Sequence, residues 1–237
     1  MRIPYLNLTH LACIAAGAAA VLVALPRGDA QTGAPGVSST ATWPEDIDAK
    51  SGMRLPIPDR DSLDEAGKRA YDRATKPGAS IAGLHGPGGI RLYSEKTAAM
   101  LSGVNRYLRY EAGFSGRVRE VAILITAREM DSQFEWVAHE PEALKEGVPQ
   151  ATIDAIKHRR PTTGLDASDA LIIELGRQIW RDHKVTPETF AKAKAAFGAN
   201  KLVELVTLMG GYASTAALLT LVDMQLHAGA KPLMPIP

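Results

Sequence analysis

Hydrophobic residues recur every three or four positions along most of the chain, as they do in amphipathic helices. Between residues 167 and 183, for example, Leu171, Leu175 and Ile179 show this spacing. No run longer than four residues alternates between apolar and polar positions, which is the pattern of a half-buried strand. The sequence therefore predicts an all-α fold. The predicted helices cover residues 62–75, 94–110, 116–130, 134–146, 152–158, 167–183, 187–198 and 202–226.

Cap residues and helix breakers mark the predicted helix ends. The capping box Ser62-Leu63-Asp64-Glu65 begins the first helix, Asp166 caps the helix over 167–183, and Thr186 precedes a proline at the first position of the next. Gly198 is expected to end that helix. Gly210-Gly211 is expected to bend or divide the long apolar segment that closes the core.

Glycine and proline dominate residues 77–89, which are therefore predicted to form a loop. His85 lies in this loop. We expect it on the exposed surface, with a place at the entrance of a pocket as the alternative. Tyr107, Tyr110 and Tyr212 are expected to be core aromatics with the hydroxyl toward water, or hydrogen-bond donors to a ligand.

The first thirty residues have the pattern of a secretory signal peptide. Arg2 and His10 precede fifteen apolar or small residues over 11–25, and Gly28 and Ala30 precede a predicted cleavage site. An uncleaved membrane anchor is the alternative, but a helix needs about 20 apolar residues to span a bilayer. The sequence thus predicts a periplasmic or secreted protein without a stable membrane anchor after cleavage.

The remaining chain divides into three parts. Residues 31–60 are rich in Gly, Pro, Ser and Thr and are predicted to form an extended arm, either a tail or a segment that wraps the surface. Residues 61–230 form the predicted helical domain, and residues 231–237 a tail. The 27 Lys and Arg balance the 26 Asp and Glu, so the charge gives no indication of nucleic-acid binding.

Three ionisable residues are candidates for chemistry. Glu120 comes directly before the apolar run 121–127, so it is expected at the edge of the core. Glu135 and His139 are four residues apart and lie on one face of the next helix, and Ser132 extends that face by a turn. Because a short turn joins the two helices, they should pack antiparallel and bring Glu120, Glu135 and His139 together.

Such a cluster is suited to proton transfer. Two carboxylates in a dry cleft raise the pKa of at least one of them, and an imidazole exchanges protons near neutral pH. The alternatives are structural: Glu120 paired with Arg117, and Glu135 with His139 as a surface pair. No metal is expected, because no second histidine lies near these residues.

The segments Arg117-Val118-Arg119-Glu120-Val121-Ala122-Ile123-Leu124 and Phe134-Glu135-Trp136-Val137-Ala138-His139 resemble the carboxymuconolactone decarboxylase family, which includes the alkylhydroperoxidases (AhpD-like). The resemblance extends to Asn105–Tyr110 and Gly210–Tyr212 and covers most of residues 60–230. It implies an AhpD-like all-α helical bundle. It also implies a homo-oligomer, a trimer or hexamer with sites near subunit contacts.

The same resemblance implies a branch of the family. The peroxidases combine a glutamate and a histidine, here matching Glu120 and His139, with a Cys-x-x-Cys pair whose positions correspond to Ser132 and Glu135. The chain has one cysteine, Cys13, inside the predicted signal peptide. A thiol peroxidase reaction by the family's route is thus excluded, and the decarboxylase branch, which works without a cofactor, is implied.

We therefore expect a cofactor-independent, lyase-type enzyme for a small carboxylated lactone or keto acid. His139 would be the general acid or base, Glu120 its orienting partner and Glu135 a second acid. Arg117 or its neighbour Arg119 would hold a substrate carboxylate, unless both are solvated or paired, and Ser132 would contact the substrate. The alternatives are a non-catalytic exported oligomeric binding protein and a peroxidase-like antioxidant protein.

Overall fold

The structure, a computed structural model, describes residues 43–76 and 83–236. These residues form eight α-helices and no strand; the nearest approach to a sheet is an isolated bridge between Asp48 and Met53. The predicted all-α class is confirmed for this part of the chain. The helices are α1 Glu65–Thr75, α2 Pro87–Arg91, α3 Glu95–Arg106, α4 Gly116–Glu129, α5 Gln133–Lys145, α6 Gln150–Lys157, α7 Ala167–Trp180 and α8 Pro187–Leu221.

Helix α4 is the centre of the core. Its residues 121–127 are fully buried, as expected for a helix that is apolar on every side. It packs against α5, α7 and α8, which contribute Trp136, Ile173 and Met209 to the same cluster. Burying each large apolar side chain stabilises the fold by about 1.5–3 kcal/mol.

Helices α4 and α5 are antiparallel neighbours joined by a tight turn. Asp131 adopts a left-handed conformation at this turn, with φ 48°, and the backbone N–H of Ser132 donates to the carbonyl of Ala127 at 2.8 Å. At the opposite end of the pair, Nη2 of Arg119 lies 3.3 Å from Oε1 of Glu146. The start of α4 therefore lies beside the end of α5, as the short connection predicts.

Most predicted helix ends are found within a few residues, but the first cap is different. Asp64, not Ser62, caps α1 and accepts hydrogen bonds from the backbone N–H groups of Ala66 and Gly67. Ser62 belongs to a preceding 3₁₀ turn and donates to the carbonyl of Asp59. The capping-box prediction is wrong because Asp64 supplies a cap two residues later in the same segment.

Helix α8 is interrupted where predicted and continuous where a break was expected. Gly198 has non-helical angles, φ 74° and ψ 165°, and separates two helical segments. Gly210 and Gly211 remain helical, so the predicted bend there is wrong; a glycine permits a break without imposing one. Helix α8 is long and apolar enough to cross a membrane, but this is a weak indication, because the central helix of a folded core has the same composition.

The predicted loop over 77–89 contains a short helix. Helix α2 begins at Pro87, a favourable first position for proline, and residues 77–82 lie outside the described residues. His85 is half-buried rather than exposed, which corrects the expectation. Its Nε2 lies 2.8 Å from the carbonyl oxygen of Gln225, and its ring packs against His227 and Phe134.

The described parts of both terminal segments pack on the helices. In the arm, Met53 is fully buried and the N–H of Arg54 donates to the carbonyl of Val222 at 2.8 Å. In the tail, Met234 is buried, and the Gln133 side chain both accepts from its N–H and donates to its carbonyl. The predicted signal peptide, residues 1–30, lies outside the described residues and stays a prediction.

The packing of α7 against the core gives a stability test. A Cβ added to Gly176 would lie 2.7 Å from Cγ1 of Ile125 and 3.0 Å from Cε of Met209. We expect Gly176→Ala to lower the free energy of unfolding by about 1–3 kcal/mol, because the core must shift to accept the methyl group. Denaturant unfolding measures the difference.

Gly103→Ala is the matched control. No atom lies within 4 Å of a Cβ at this exposed helical position. The substitution should raise the free energy of unfolding by about 0.5–1 kcal/mol through helix propensity alone. Equal effects of the two substitutions would contradict the described packing of α7.

Candidate active site

A cavity of about 860 Å³ lies between α1 and α3 on one side and α5 and α8 on the other. Glu135 and His139, both on α5, line it, as the four-residue spacing predicts. Glu120, on α4, lies directly behind His139. The structure therefore brings the three candidate residues together, with two of them on the cavity lining, although both carboxyl oxygens of Glu135 are buried.

Glu120 and His139 are joined by a hydrogen bond across the α4–α5 interface. Nδ1 of His139 lies 2.8 Å from Oε2 of Glu120, whose side chain is 1% exposed. Burial alone would raise the pKa of Glu120. The hydrogen bond and charge of His139, with the guanidinium groups of Arg109 and Arg119, outweigh this effect and hold the pKa below its ordinary value. Glu120 is therefore an ionised carboxylate inside the protein.

The ionised carboxylate determines the tautomer of His139. A carboxylate only accepts hydrogen bonds, so we assign a proton to Nδ1 of His139, which leaves Nε2 with a lone pair when the ring is neutral. The ring of Tyr212 packs edge-on against the imidazole, with 5.1 Å between ring centroids. The imidazole is thus held from two sides, with its second nitrogen available for proton transfer.

Glu135 is in the opposite state. Its side chain is buried, and neither carboxyl oxygen has a hydrogen-bond partner among the described residues. Burial raises the pKa of Glu135 to about 8; the nearby Ser132 hydroxyl, which lies outside hydrogen-bonding geometry, and the charge of Arg91 oppose this rise only in part. Glu135 is therefore mainly protonated at pH 7 and can donate a proton.

The two glutamates thus differ in charge although they belong to one site. Glu120 is surrounded by cationic and hydrogen-bonding groups, whereas Glu135 is buried without such partners. In enzymes, two carboxyl groups whose surroundings push their pKa values apart commonly have different roles, one as a proton donor and the other as a charged group. The arrangement can deliver a proton from Glu135 and accept one at Nε2 of His139.

Four arginines that the site prediction did not include line the cavity, and two of them, Arg91 and Arg109, act on the charges of Glu135 and Glu120. Arg91, on α2, is largely withdrawn from solvent, and its Nη2 donates to Oγ1 of Thr215 at 3.3 Å. Arg109 lies in a single wider helical turn, Tyr107–Glu111, that follows α3, and its Nη2 is 4.0 Å from Oε1 of Glu120. Arg109 belongs to a segment that carries the family resemblance, but no spacing relates it to Glu120. Arg91 lies between the predicted loop 77–89 and the predicted helix 94–110, and no motif or spacing in the sequence marks it as a site residue.

Arg117, the expected substrate-binding residue, is occupied elsewhere. Its guanidinium donates two hydrogen bonds, of 3.0 and 2.7 Å, to the buried carboxylate of Asp169, which also accepts from Thr152. Arg119 contacts Glu120, Glu146 and the carbonyl of Arg109. The expectation for Arg117 is therefore corrected: it faces α7, and both arginines are paired.

The structure also places the other residues that the sequence singled out near the site. Ser132 is buried near Glu135 and does not line the cavity. It is therefore placed to affect Glu135, and the expectation that it contacts the substrate is corrected. Glu120 does not pair with Arg117, and Glu135 and His139 are not a solvent-exposed surface pair. Of the tyrosines, only Tyr212 is a core aromatic; Tyr107 and Tyr110 are exposed, which corrects the expectation for both. Tyr110 and Tyr212 line the cavity, and Tyr107 donates to Glu204 at 2.6 Å. Within the described residues, no three His, Cys, Asp or Glu side chains form a group that could hold a metal ion.

Comparisons of the chain with models of protein families, with curated proteins and with solved structures find no match. The resemblance to the carboxymuconolactone decarboxylase family therefore stays a prediction. It rests on the residues of α4 and α5 that carry it.

The state of Glu135 predicts an unusual dependence of stability on pH. The native carboxyl keeps its proton up to about pH 8, whereas the unfolded chain releases it near the ordinary value of 4.5. The native state thus binds more protons between these values, and stability falls as the pH rises through them. Glu135→Gln removes this loss. Its stability relative to the parent protein should rise by about 3 kcal/mol between pH 4 and pH 7.

Chemical denaturation of both proteins over this pH range measures the difference. Glu188→Gln is the control, because the hydrogen bond from Lys192 lowers the pKa of the exposed Glu188. Its stability relative to the parent should fall slightly as the pH rises. A pH-independent difference between Glu135→Gln and the parent would mean that the carboxyl is ionised in the native state.

Proposed function

We propose that this protein is an acid–base enzyme of the carboxymuconolactone decarboxylase type, which acts without a cofactor on a carboxylated lactone or keto acid. The observation that carries the proposal is the placement, on one cavity lining, of the buried, unpartnered Glu135 and of the His139 ring, which is hydrogen-bonded to Glu120. Burial raises the pKa of Glu135 to about 8, so we infer that it is the proton donor. Reactions that remove a proton from carbon, or add one to it, need a proton acceptor and a proton donor near the same carbon atom.

Arg91 and Arg109 give the cavity its affinity for an anion. Arginine remains charged when buried and binds carboxylates through two parallel hydrogen bonds. Arg91 is also close enough to Glu135 for its charge to act on that carboxyl group. An enolate oxygen that develops during the reaction would be stabilised by the same charge.

The decarboxylation can be written with these groups alone. The bond between the carboxylate carbon and its neighbour breaks, CO₂ leaves, and the electron pair passes to a conjugated carbonyl as an enolate. Glu135 then donates its proton to the carbon, and its carboxylate takes a proton from water after the product leaves. In a double-bond shift, Nε2 of His139 removes a proton next to the carbonyl and Glu135 returns one elsewhere, so that no net proton is used.

The surface of α3 favours a second candidate, an oligomeric binding protein. Met100 is 73% and Val104 47% exposed, and the neighbouring Leu101 is also exposed. An apolar surface of this kind is typical of an interaction site. A trimer or hexamer of AhpD-like bundles, exported through the N-terminal signal peptide, belongs to our proposal in either case.

Turnover separates the two candidates. His139→Ala and Glu135→Gln should each lower kcat about 10²–10⁴-fold, because each removes a group that transfers a proton. Suitable measurements are CO₂ release from a panel of carboxylated lactones and keto acids and hydrogen–deuterium exchange at the carbon next to the carbonyl. The parent rate should fall as the pH rises above about 8, where Glu135 loses its proton, and Glu135→Gln should lack this decline.

Glu120→Gln tests the positioning role of Glu120. We expect a lower kcat and a shifted pH profile, since the amide no longer stabilises a charged imidazole. His158→Ala is the matched control, because His158 is exposed and does not line the cavity. If neither the parent protein nor any variant exchanges or releases carbon-bound groups, while all remain folded, the binding-protein candidate is favoured.

A further inference from the structure

The cavity is larger than a small lactone requires. Its volume of about 860 Å³ is near the upper end of the range of about 300–1,000 Å³ found for pockets that enclose drug-sized ligands. A water molecule occupies about 30 Å³ in the liquid, so a lactone of about a dozen non-hydrogen atoms would leave most of this space to water. The size points to a longer molecule.

The wall opposite the acid–base groups is wide because its residues are small. On α1, Ala66, Ala70 and Ala74 are spaced by four and lie on the face that lines the cavity. Ser102 on α3 adds another small side chain. Short side chains keep the two helices from filling the space between them and α8.

The same wall carries apolar side chains that are not covered. Leu101 and Val104 on α3 line the cavity, yet they are 37% and 47% exposed. Leu108, in the turn after α3, and Phe134, on α5, are further apolar residues of the lining, with little exposure of their own. An apolar ligand that removes Leu101 and Val104 from water would gain binding free energy.

The charged residues of the cavity favour an anion. Arg69 and Arg73 on α1 join Arg91 and Arg109, which makes four arginines. The acidic residues on the same lining are Glu95, Glu142 and Glu135, the last of which is uncharged at pH 7. The lining is therefore net positive, whereas the chain as a whole is almost neutral.

We propose that the ligand of this cavity is an amphipathic carboxylic acid, with its carboxylate at Arg91 and Arg109 and an apolar body against Leu101 and Val104. The inference deepens the proposed function, because it names the class of acid on which the enzyme would act. It proposes a longer acid than the small lactone or keto acid expected from the family resemblance. Binding can be tested without turnover, so that the two proposals fail separately.

The first test uses straight-chain carboxylates from butanoate to dodecanoate, with binding to the full protein measured by titration calorimetry below the micelle concentration. Affinity should rise about three- to fourfold for each added methylene until the cavity is full. The methyl ester of each acid should bind at least about tenfold more weakly than the acid, and Arg91→Gln should remove this difference.

The second test blocks the cavity at an exposed position, where folding is not at risk. Ser102→Trp places a bulky ring in the lining, and Gly103→Trp, at the next exposed position of α3, is the control outside the lining. Ser102→Trp should weaken dodecanoate at least about tenfold and leave butanoate unchanged. Gly103→Trp should change neither. Light scattering of the same samples reports the oligomeric state.

The outcomes separate the two proposals. Affinity that does not depend on chain length, or that is the same for acid and ester, overturns the inference. So does a Ser102→Trp variant that changes the molecular mass and leaves dodecanoate binding intact, since the wall would then be an interface between copies. Turnover of small lactones without binding of long acids overturns the inference alone, whereas chain-length-dependent binding without turnover of any acid overturns the proposed function alone.

Discussion

The hydrogen bond between Glu120 and His139 is the constraint on which the candidate site depends. It places a carboxylate between two helices of the core, where a charge is stable only if opposite charges and donors surround it. His139, Arg109 and Arg119 supply them, and each comes from a different point of the chain. The site and the packing of α4 against α5 are therefore one structure. Loss of one partner would remove part of the compensation for this buried charge.

Glu135 shows the other way in which a protein can hold a buried carboxyl group. It has no hydrogen-bond partner among the described residues and keeps its proton instead. This solution lowers stability near neutral pH, because the unfolded chain gains from ionising the same group. Buried polar groups without partners are uncommon in native proteins, and those that persist often belong to functional sites. The two glutamates of the candidate site thus differ in charge because their surroundings differ.

The sequence predicts the parts of this structure that depend on local order. The apolar run 121–127 predicts that α4 is buried, and the four-residue spacing of Glu135 and His139 predicts that both lie on one face of α5. The partners of the arginines depend instead on contacts between distant segments. Arg117 lies on α4, the helix that carries Glu120, but its guanidinium reaches Asp169, fifty-two residues later. Arg91 reaches the cavity from α2, two residues beyond the predicted loop 77–89. Local patterns contain no information on such pairings, and the burial of His85 against the C-terminal segment was missed for the same reason.

The wider turn Tyr107–Glu111 has a consequence for how this fold can vary. In this turn the N–H of Ala112 donates to the carbonyl of Tyr107, five residues back, so the segment holds one residue more than a regular helical turn. One residue corresponds to about 100° of rotation around the helix axis. The extra residue thus affects the direction in which the Arg109 side chain leaves the helix toward Glu120, and α3 before it stays regular. Insertion or deletion of a single residue at this point would replace Arg109 by a neighbouring side chain beside Glu120. The turn is therefore a place where the surroundings of Glu120 could change while α4 and the core stay the same.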